Sequence, residues 1–196
     1  MNLPNKLTLS RIALTFVFMA FLYTNGVTAK VFALCAFVLA ALTDALDGYI
    51  AKKINQVTDF GRLMDPIADK ILVLAALLAF VERGIVPAWM VVLIIFREVA
   101  VTGLRILALT KGRVLQADGG GKHKTVWQLS TIIIILFFFI FKEGGHALFN
   151  FWNTKVETIY KDGIFVIMLI AVVLTLSSGI AYLVKNREVY SNEETD

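Results

Sequence analysis

Six apolar runs, at residues 7–24, 30–50, 67–83, 87–109, 125–142 and 163–184, constrain this chain more than anything else in it. A helix needs about 20 apolar residues to cross the hydrocarbon of a bilayer. Within that layer backbone polar groups must be satisfied inside the segment itself, which leaves the helix as the solution for runs of this length. The pattern therefore predicts an all-α fold, an integral membrane bundle of six transmembrane helices. Composition agrees: 58% of the residues are hydrophobic and 17% charged, whereas a soluble domain is roughly 45–50% apolar. A soluble enzyme is excluded on that ground. The three prolines and the single Cys35 exclude a Pro-rich linker protein, a disulfide scaffold and a Cys-based zinc site. The first run is followed by no small-residue cleavage site, so it is expected to be a retained helix.

Six crossings put both termini on one side, and the cationic residues say which. Thirteen lysines and arginines, from Lys6 and Arg11 through Lys52, Lys53 and Arg62 to Lys185 and Arg187, fall at one set of helix ends. Five fall at the other: Lys30, Arg83, Lys142, Lys155 and Lys161. The richer side is expected to be cytoplasmic, with both termini there. The net charge of +4 then suits anionic lipid headgroups or phosphate substrates, not nucleic acid. Trp89, Trp127 and Trp152 suit interfacial belts. Turns are expected at Asn25-Gly26, from Gly84 to Pro87, at the glycine triplet 119–121 and at Gly144-Gly145. The chain is expected to form one membrane domain over 1–196, with a polar, mobile tail from about 185. His123 and His146 sit at loop positions, which argues against a histidine metal site. Cys35 is expected to be a small packing residue of the second span.

Ionisable residues near hydrocarbon are costly and usually pair, line a cavity or serve function. Here they gather in TDALDGYIAKKINQVTDFGRLMDPIADK, which carries Asp44, Asp47, Asp65 and Asp69. At about 100° per residue Asp44 and Asp47 lie about 60° apart on a helix, and Asp65 and Asp69 about 40° apart. Each pair shares one face. If the second and third helices pack antiparallel, the two acidic faces meet in a four-carboxylate cup at the cytoplasmic end. Such carboxylates demand counter-cations, and oxygen-only ligation suits hard ions such as Mg²⁺, Mn²⁺ or Ca²⁺. Gly48 and Gly61 lack Cβ and would let a phosphate approach the backbone. The competing reading has the same aspartates capping helices or pairing with Lys52, Lys53, Arg62 and Lys70.

The string D44-x2-D47-G48-x2-A51-K52-x8-G61-x3-D65-x3-D69 resembles the signature of the CDP-alcohol phosphotransferase family, matching seven of its eight specified positions. The departure is Lys52, where the family has Arg. Lysine keeps the charge but loses the bidentate fork. The resemblance implies a six-helix membrane enzyme of the CDP-alcohol phosphotransferase type, which displaces CMP from a CDP-activated lipid with a hydroxyl nucleophile and two divalent cations, Mg²⁺ or Mn²⁺. Carried over by position, Asp44, Asp47 and Asp65 would hold one ion and Asp44, Asp65 and Asp69 the other. Asp69 would also accept the proton of the attacking hydroxyl. Gly48, Lys52, Thr58 and Gly61 would bind the CDP moiety.

Three further stretches, NLPNKLTLSRI at the N-terminus, FREVAVTGLR at 96–105 and GKHKTVWQ at 121–128, are similar to those of bacterial members that take sn-glycerol 3-phosphate as acceptor. They imply CDP-diacylglycerol and sn-glycerol 3-phosphate as substrates, in the bacterial cytoplasmic membrane with the site facing the cytoplasm. An anionic acceptor needs cations, and Arg97, Arg105 and Lys124 are the candidates. Arg97 and Arg105 fall about 80° apart on one helix and can both point into the bundle. Arg97 can equally form a buried pair with Glu98, and Lys124 can be ordinary loop charge. Pro4, Asn5, Thr8 and Arg11, at the first helix, can meet the nucleotide and phosphate of the CDP-lipid, or can simply start that helix, with Arg11 snorkelling. Small-residue helix faces permit a homodimer among the membrane lipids. Sister enzymes using inositol phosphate, serine or phosphatidylglycerol are the near alternative. A cation transporter is the remote one, disfavoured by the fixed D-x2-D-G spacing.

Overall fold

The computed structural model describes the backbone of residues 3–54, 59–112, 115, 120–145 and 153–190. Side chains are described within 9–43, 70–112, 115, 125–145 and 153–190. Among the described residues there are six α-helices and no strand: α1 Leu3–Tyr23, α2 Val27–Ile54, α3 Asp59–Glu82, α4 Ala88–Thr110, α5 Gly120–Gly144 and α6 Thr154–Lys185. A short 3-10 turn follows at Arg187–Val189.

The helix breaks follow turn chemistry. Gly26 and Gly84 take φ values of 103° and 66°, in the left-handed region that glycine enters without cost. Pro87, at φ −63° and ψ 135°, sits at the start of α4, where its missing N–H breaks no helical bond. Asn153 starts α6 by accepting a hydrogen bond from Val156 N at 3.0 Å. Helix α6 thus begins well before the expected span, inside what reads as a long loop. At the other end of the chain, part of the tail is docked. Val189 is buried, Lys111 Nζ donates to Val189 O at 2.7 Å and the Tyr190 hydroxyl donates to Leu183 O.

Large apolar side chains point outward on every helix: Phe16, Phe32, Leu78, Phe96, Ile134 and Val173 are each more than two-fifths exposed. Cys35 also faces outward, contrary to the expected packing role. Small residues turn inward, with Ala33, Ala36 and Ala40 of α2 and Ala76 and Ala79 of α3 buried, together with Phe18, Leu22 and Phe80. That arrangement lets the backbones of α1, α2 and α3 approach closely, as helices do where lipid removes the hydrophobic incentive to associate. Two helices, Thr125–Gly144 and Thr154–Lys185, are long and apolar enough to cross a membrane among the described residues, and shorter apolar stretches run over Leu9–Tyr23 and Val27–Thr43. An apolar exterior of this kind belongs to a membrane protein.

The end where α1 finishes and α2 begins is tied by charge. Lys30 is buried, and its ammonium donates to the carbonyls of Leu22 at 2.7 Å and Thr24 at 2.6 Å. Arg83 donates to the same Leu22 carbonyl at 2.8 Å and lies over the ring of Tyr23. The Tyr23 hydroxyl donates to Glu82. Cations at these last carbonyls complement the negative end of the α1 dipole. Successive helices run alternately along the bundle, so the acidic segment of α2 and α3 lies at the opposite end.

Candidate functional site

The four signature aspartates fall on the two helices expected to carry them: Asp44 and Asp47 in the last turns of α2, Asp65 and Asp69 in the first half of α3. Gly48 and Lys52 also lie on α2, and Gly61 lies near the start of α3. The side chains of residues 44–69, and Thr58 altogether, lie outside the described residues. Pro4, Asn5 and Thr8 occupy the first turns of α1 and Lys124 the start of α5, again with side chains outside the described set. Helix α5 begins within the glycine triplet, so Lys124 stands in a helical turn. Trp152 and His146 are likewise outside the described residues. Arg11 is buried in α1 at 1% exposure.

From Lys70 onward through α4 the side chains are described. Lys70, the next residue of α3, donates from Nζ to Thr102 Oγ1 of α4, and Thr102 Oγ1 donates back to the Glu98 carbonyl at 2.7 Å. Glu98 Oε1 accepts from Arg97 Nη1 at 3.2 Å. Arg97 Nη2 reaches across to Ser178 Oγ of α6 at 3.1 Å. Lys70, Glu98, Thr125 and Gln128 line one small cavity where α3, α4 and α5 meet. On the outer side of the same Lys70 and Glu98, a wider apolar cavity of about 370 Å³ runs between α3 and α4, with Ile71, Leu74, Ile95 and Ile106 among its walls.

Arg97 owes its position to α6. The buried stripe of α4, which includes Ile94, Arg97, Val101 and Leu104, faces the buried stripe of α6, which includes Thr175, Gly179 and Tyr182. A Cβ on Gly179 would stand 2.6 Å from Arg97 Cγ and 3.1 Å from Nε, so the arginine crosses α6 where that helix has no side chain. Its Nε has no hydrogen-bond partner among the described residues although the side chain is nine-tenths buried. A buried donor without an acceptor is unfavourable until something completes it.

Arg105 behaves differently. It is exposed, its guanidinium 5.4 Å from the ring centre of Tyr182 and its Nε 3.3 Å from the Tyr182 hydroxyl. It lies along α6 instead of entering the bundle with Arg97. The Arg97–Glu98 pair weighed from the sequence is present, and it leaves Nε over. Lys70, Gln128, Ser178 and Gly179 were not singled out as site residues. The signals were there: a glutamine after Trp127 in an apolar run, and the polar and small residues Ser177-Ser178-Gly179 in the middle of the last span.

The donor set at the acidic end is oxygen only. No group of three or more His, Cys, Asp or Glu that could hold a metal occurs among the described residues, and Cys35 faces away. Four carboxylates on two helix ends fit a hard divalent ion and no soft one.

A model of the CDP-alcohol phosphatidyltransferase family matches residues 1–185. A Bacillus subtilis (strain 168) protein named CDP-diacylglycerol--glycerol-3-phosphate 3-phosphatidyltransferase is 38% identical, over 95% of this chain and 96% of its own length. A Rickettsia bellii (strain RML369-C) protein of the same name is 38% identical over 92% of this chain and 93% of its own.

Proposed function

The chain belongs to the CDP-alcohol phosphatidyltransferase family, and from that premise we propose that it transfers the phosphatidyl group of CDP-diacylglycerol to sn-glycerol 3-phosphate, giving phosphatidylglycerophosphate and CMP. The observation that carries the acceptor assignment is Arg97: a buried guanidinium with one donor left over, bonded to Glu98, which lines a cavity together with the residue that follows Asp69. A phosphate gives that remaining donor a charge-assisted hydrogen bond, stronger than any a neutral alcohol offers.

Asp44, Asp47 and Asp65 are assigned to one divalent cation and Asp44, Asp65 and Asp69 to a second, Mg²⁺ or Mn²⁺. When bound, these ions supply neutralisation of the diphosphate and of the charge that develops on the transferred phosphoryl group. Gly48, Lys52, Thr58 and Gly61, with Pro4, Asn5, Thr8 and Arg11 of α1, take the CDP end of the lipid. Arg97 and Lys124 hold the acceptor phosphate, whereas Arg105, resting on Tyr182, is not brought to it. The acceptor's terminal hydroxyl oxygen bonds to the phosphatidyl phosphorus as the bond to CMP breaks, and Asp69 takes the hydroxyl proton. The excess of Lys and Arg at the acidic end supports a site on the cytoplasmic face of a bacterial cell membrane.

CMP release by the purified protein with CDP-diacylglycerol, measured across glycerol 3-phosphate, serine, inositol phosphate and phosphatidylglycerol, tests the reading. Turnover is expected with glycerol 3-phosphate, and Asp69→Asn should lower kcat by about 10²-fold or more. Turnover with serine and none with glycerol 3-phosphate would overturn the acceptor, and full turnover by the variant would remove Asp69 from the chemistry.

A further inference from the structure

The small cavity between α3, α4 and α5 is a built polar site that the assignments above leave without a task. It has about 40 Å³ of room, where one water takes roughly 10–15 Å³ on such a measure. Its floor is apolar, Val73, Leu74 and Ile94, and its rim is Lys70, Glu98, Thr125 and Gln128. Gln128 is 6% exposed, and its Nε2 has no hydrogen-bond partner among the described residues. A half-turn of the amide exchanges its nitrogen and oxygen, so either can be offered to the cavity.

We propose that this cavity is the subsite that reads the second, non-reacting hydroxyl of a polyol phosphate acceptor. The inference rests on the acceptor reading above and adds the group that distinguishes that acceptor from a simple hydroxyalkyl phosphate. A hydroxyl both donates and accepts. Glu98, steadied by Arg97 Nη1 at 3.2 Å, accepts from it, and the Gln128 amide or the Lys70 ammonium donates to it. The volume admits one carbon bearing a hydroxyl. The cavity is linked to both assigned groups: Lys70 belongs to the helix that carries Asp69, and Glu98 is bonded to Arg97.

A site built to hydrogen-bond a substrate hydroxyl rejects the analogue that lacks it far more strongly than an apolar pocket rejects a missing methylene. The test compares kcat/KM for sn-glycerol 3-phosphate with that for 3-hydroxypropyl phosphate, which lacks only the second hydroxyl, using the full chain in mixed micelles with CDP-diacylglycerol. The unsubstituted protein is expected to prefer the diol by about 10²-fold or more. Gln128→Met and Glu98→Gln should each shrink that ratio at least tenfold. A ratio that survives both substitutions, with both acceptors falling together, overturns the proposal and leaves the cavity as a water site. Equal use of the two acceptors by the unsubstituted protein overturns it as well. Failure to use either acceptor sinks the acceptor reading itself, a different result from a preserved ratio. If Gln128→Met does not fold, Gln128→Leu, which likewise offers no hydrogen bond, gives the same comparison.

Discussion

Arg97 can be where it is only because residue 179 has no side chain. Gly179→Ala would set a methyl group 2.6 Å from Arg97 Cγ, an overlap whose relief typically costs about 1–3 kcal/mol. The arginine, as the flexible partner, is the one to move. We expect Gly179→Ala to raise KM for glycerol 3-phosphate about tenfold while KM for CDP-diacylglycerol stays within about twofold, a tenfold change corresponding to about 1.4 kcal/mol. Steady-state kinetics with each substrate varied in turn checks this, and an unchanged KM for glycerol 3-phosphate would show that Arg97 does not hold the acceptor. The sequence marks Arg97 as a charge in an apolar run, which is enough to single it out. Its partner across the bundle, Ser178, stands 81 positions away, and no spacing rule links the two.

At the scale of the element, α6 differs most from what its sequence suggests. Its 32 residues make a rod of about 48 Å at 1.5 Å per residue, longer than the roughly 30 Å of hydrocarbon, so its first turns stand outside the apolar layer. The reason is local. Asn153 caps the helix, and Glu157 in the first turn complements its positive end. Hydrogen bonds from Lys142 at 2.8 Å and Lys161 at 3.0 Å hold the Glu157 carboxyl at about 2, down from 4.5. A depressed carboxylate contributes stability that is complete above its unfolded value and lost as pH falls through its folded one. The junction of α5 and α6 should therefore weaken between about pH 4.5 and pH 2. Thermal unfolding in detergent at pH 6 and pH 3 should show a drop that Glu157→Gln largely removes. An equal drop in the variant would assign the acid sensitivity elsewhere. Apolar counting misses this start because polar residues can begin a helix whose later turns are the greasy ones.

For the whole molecule, two ends of opposite purpose are joined by an apolar barrel. One end is locked by Lys30 and Arg83 on the carbonyls that finish α1, and the other carries the acidic segment. If the carboxylates there hold divalent ions, EDTA should abolish turnover, and added Mg²⁺ or Mn²⁺ should restore it. Undiminished CMP release after thorough chelation would remove the ions from the reaction. The sequence by itself determined the all-helical membrane class, the signature and the two helices that carry it, because apolar length and residue spacing are properties of one segment at a time. Only the tertiary structure decided that Gly179 admits Arg97, that Arg105 rests on Tyr182 outside the bundle, and that Lys70, Glu98 and Gln128 share a cavity. Those outcomes depend on how the buried stripes of α3, α4, α5 and α6 rotate against one another, and helix rotation is fixed by packing between segments, which no single apolar run encodes.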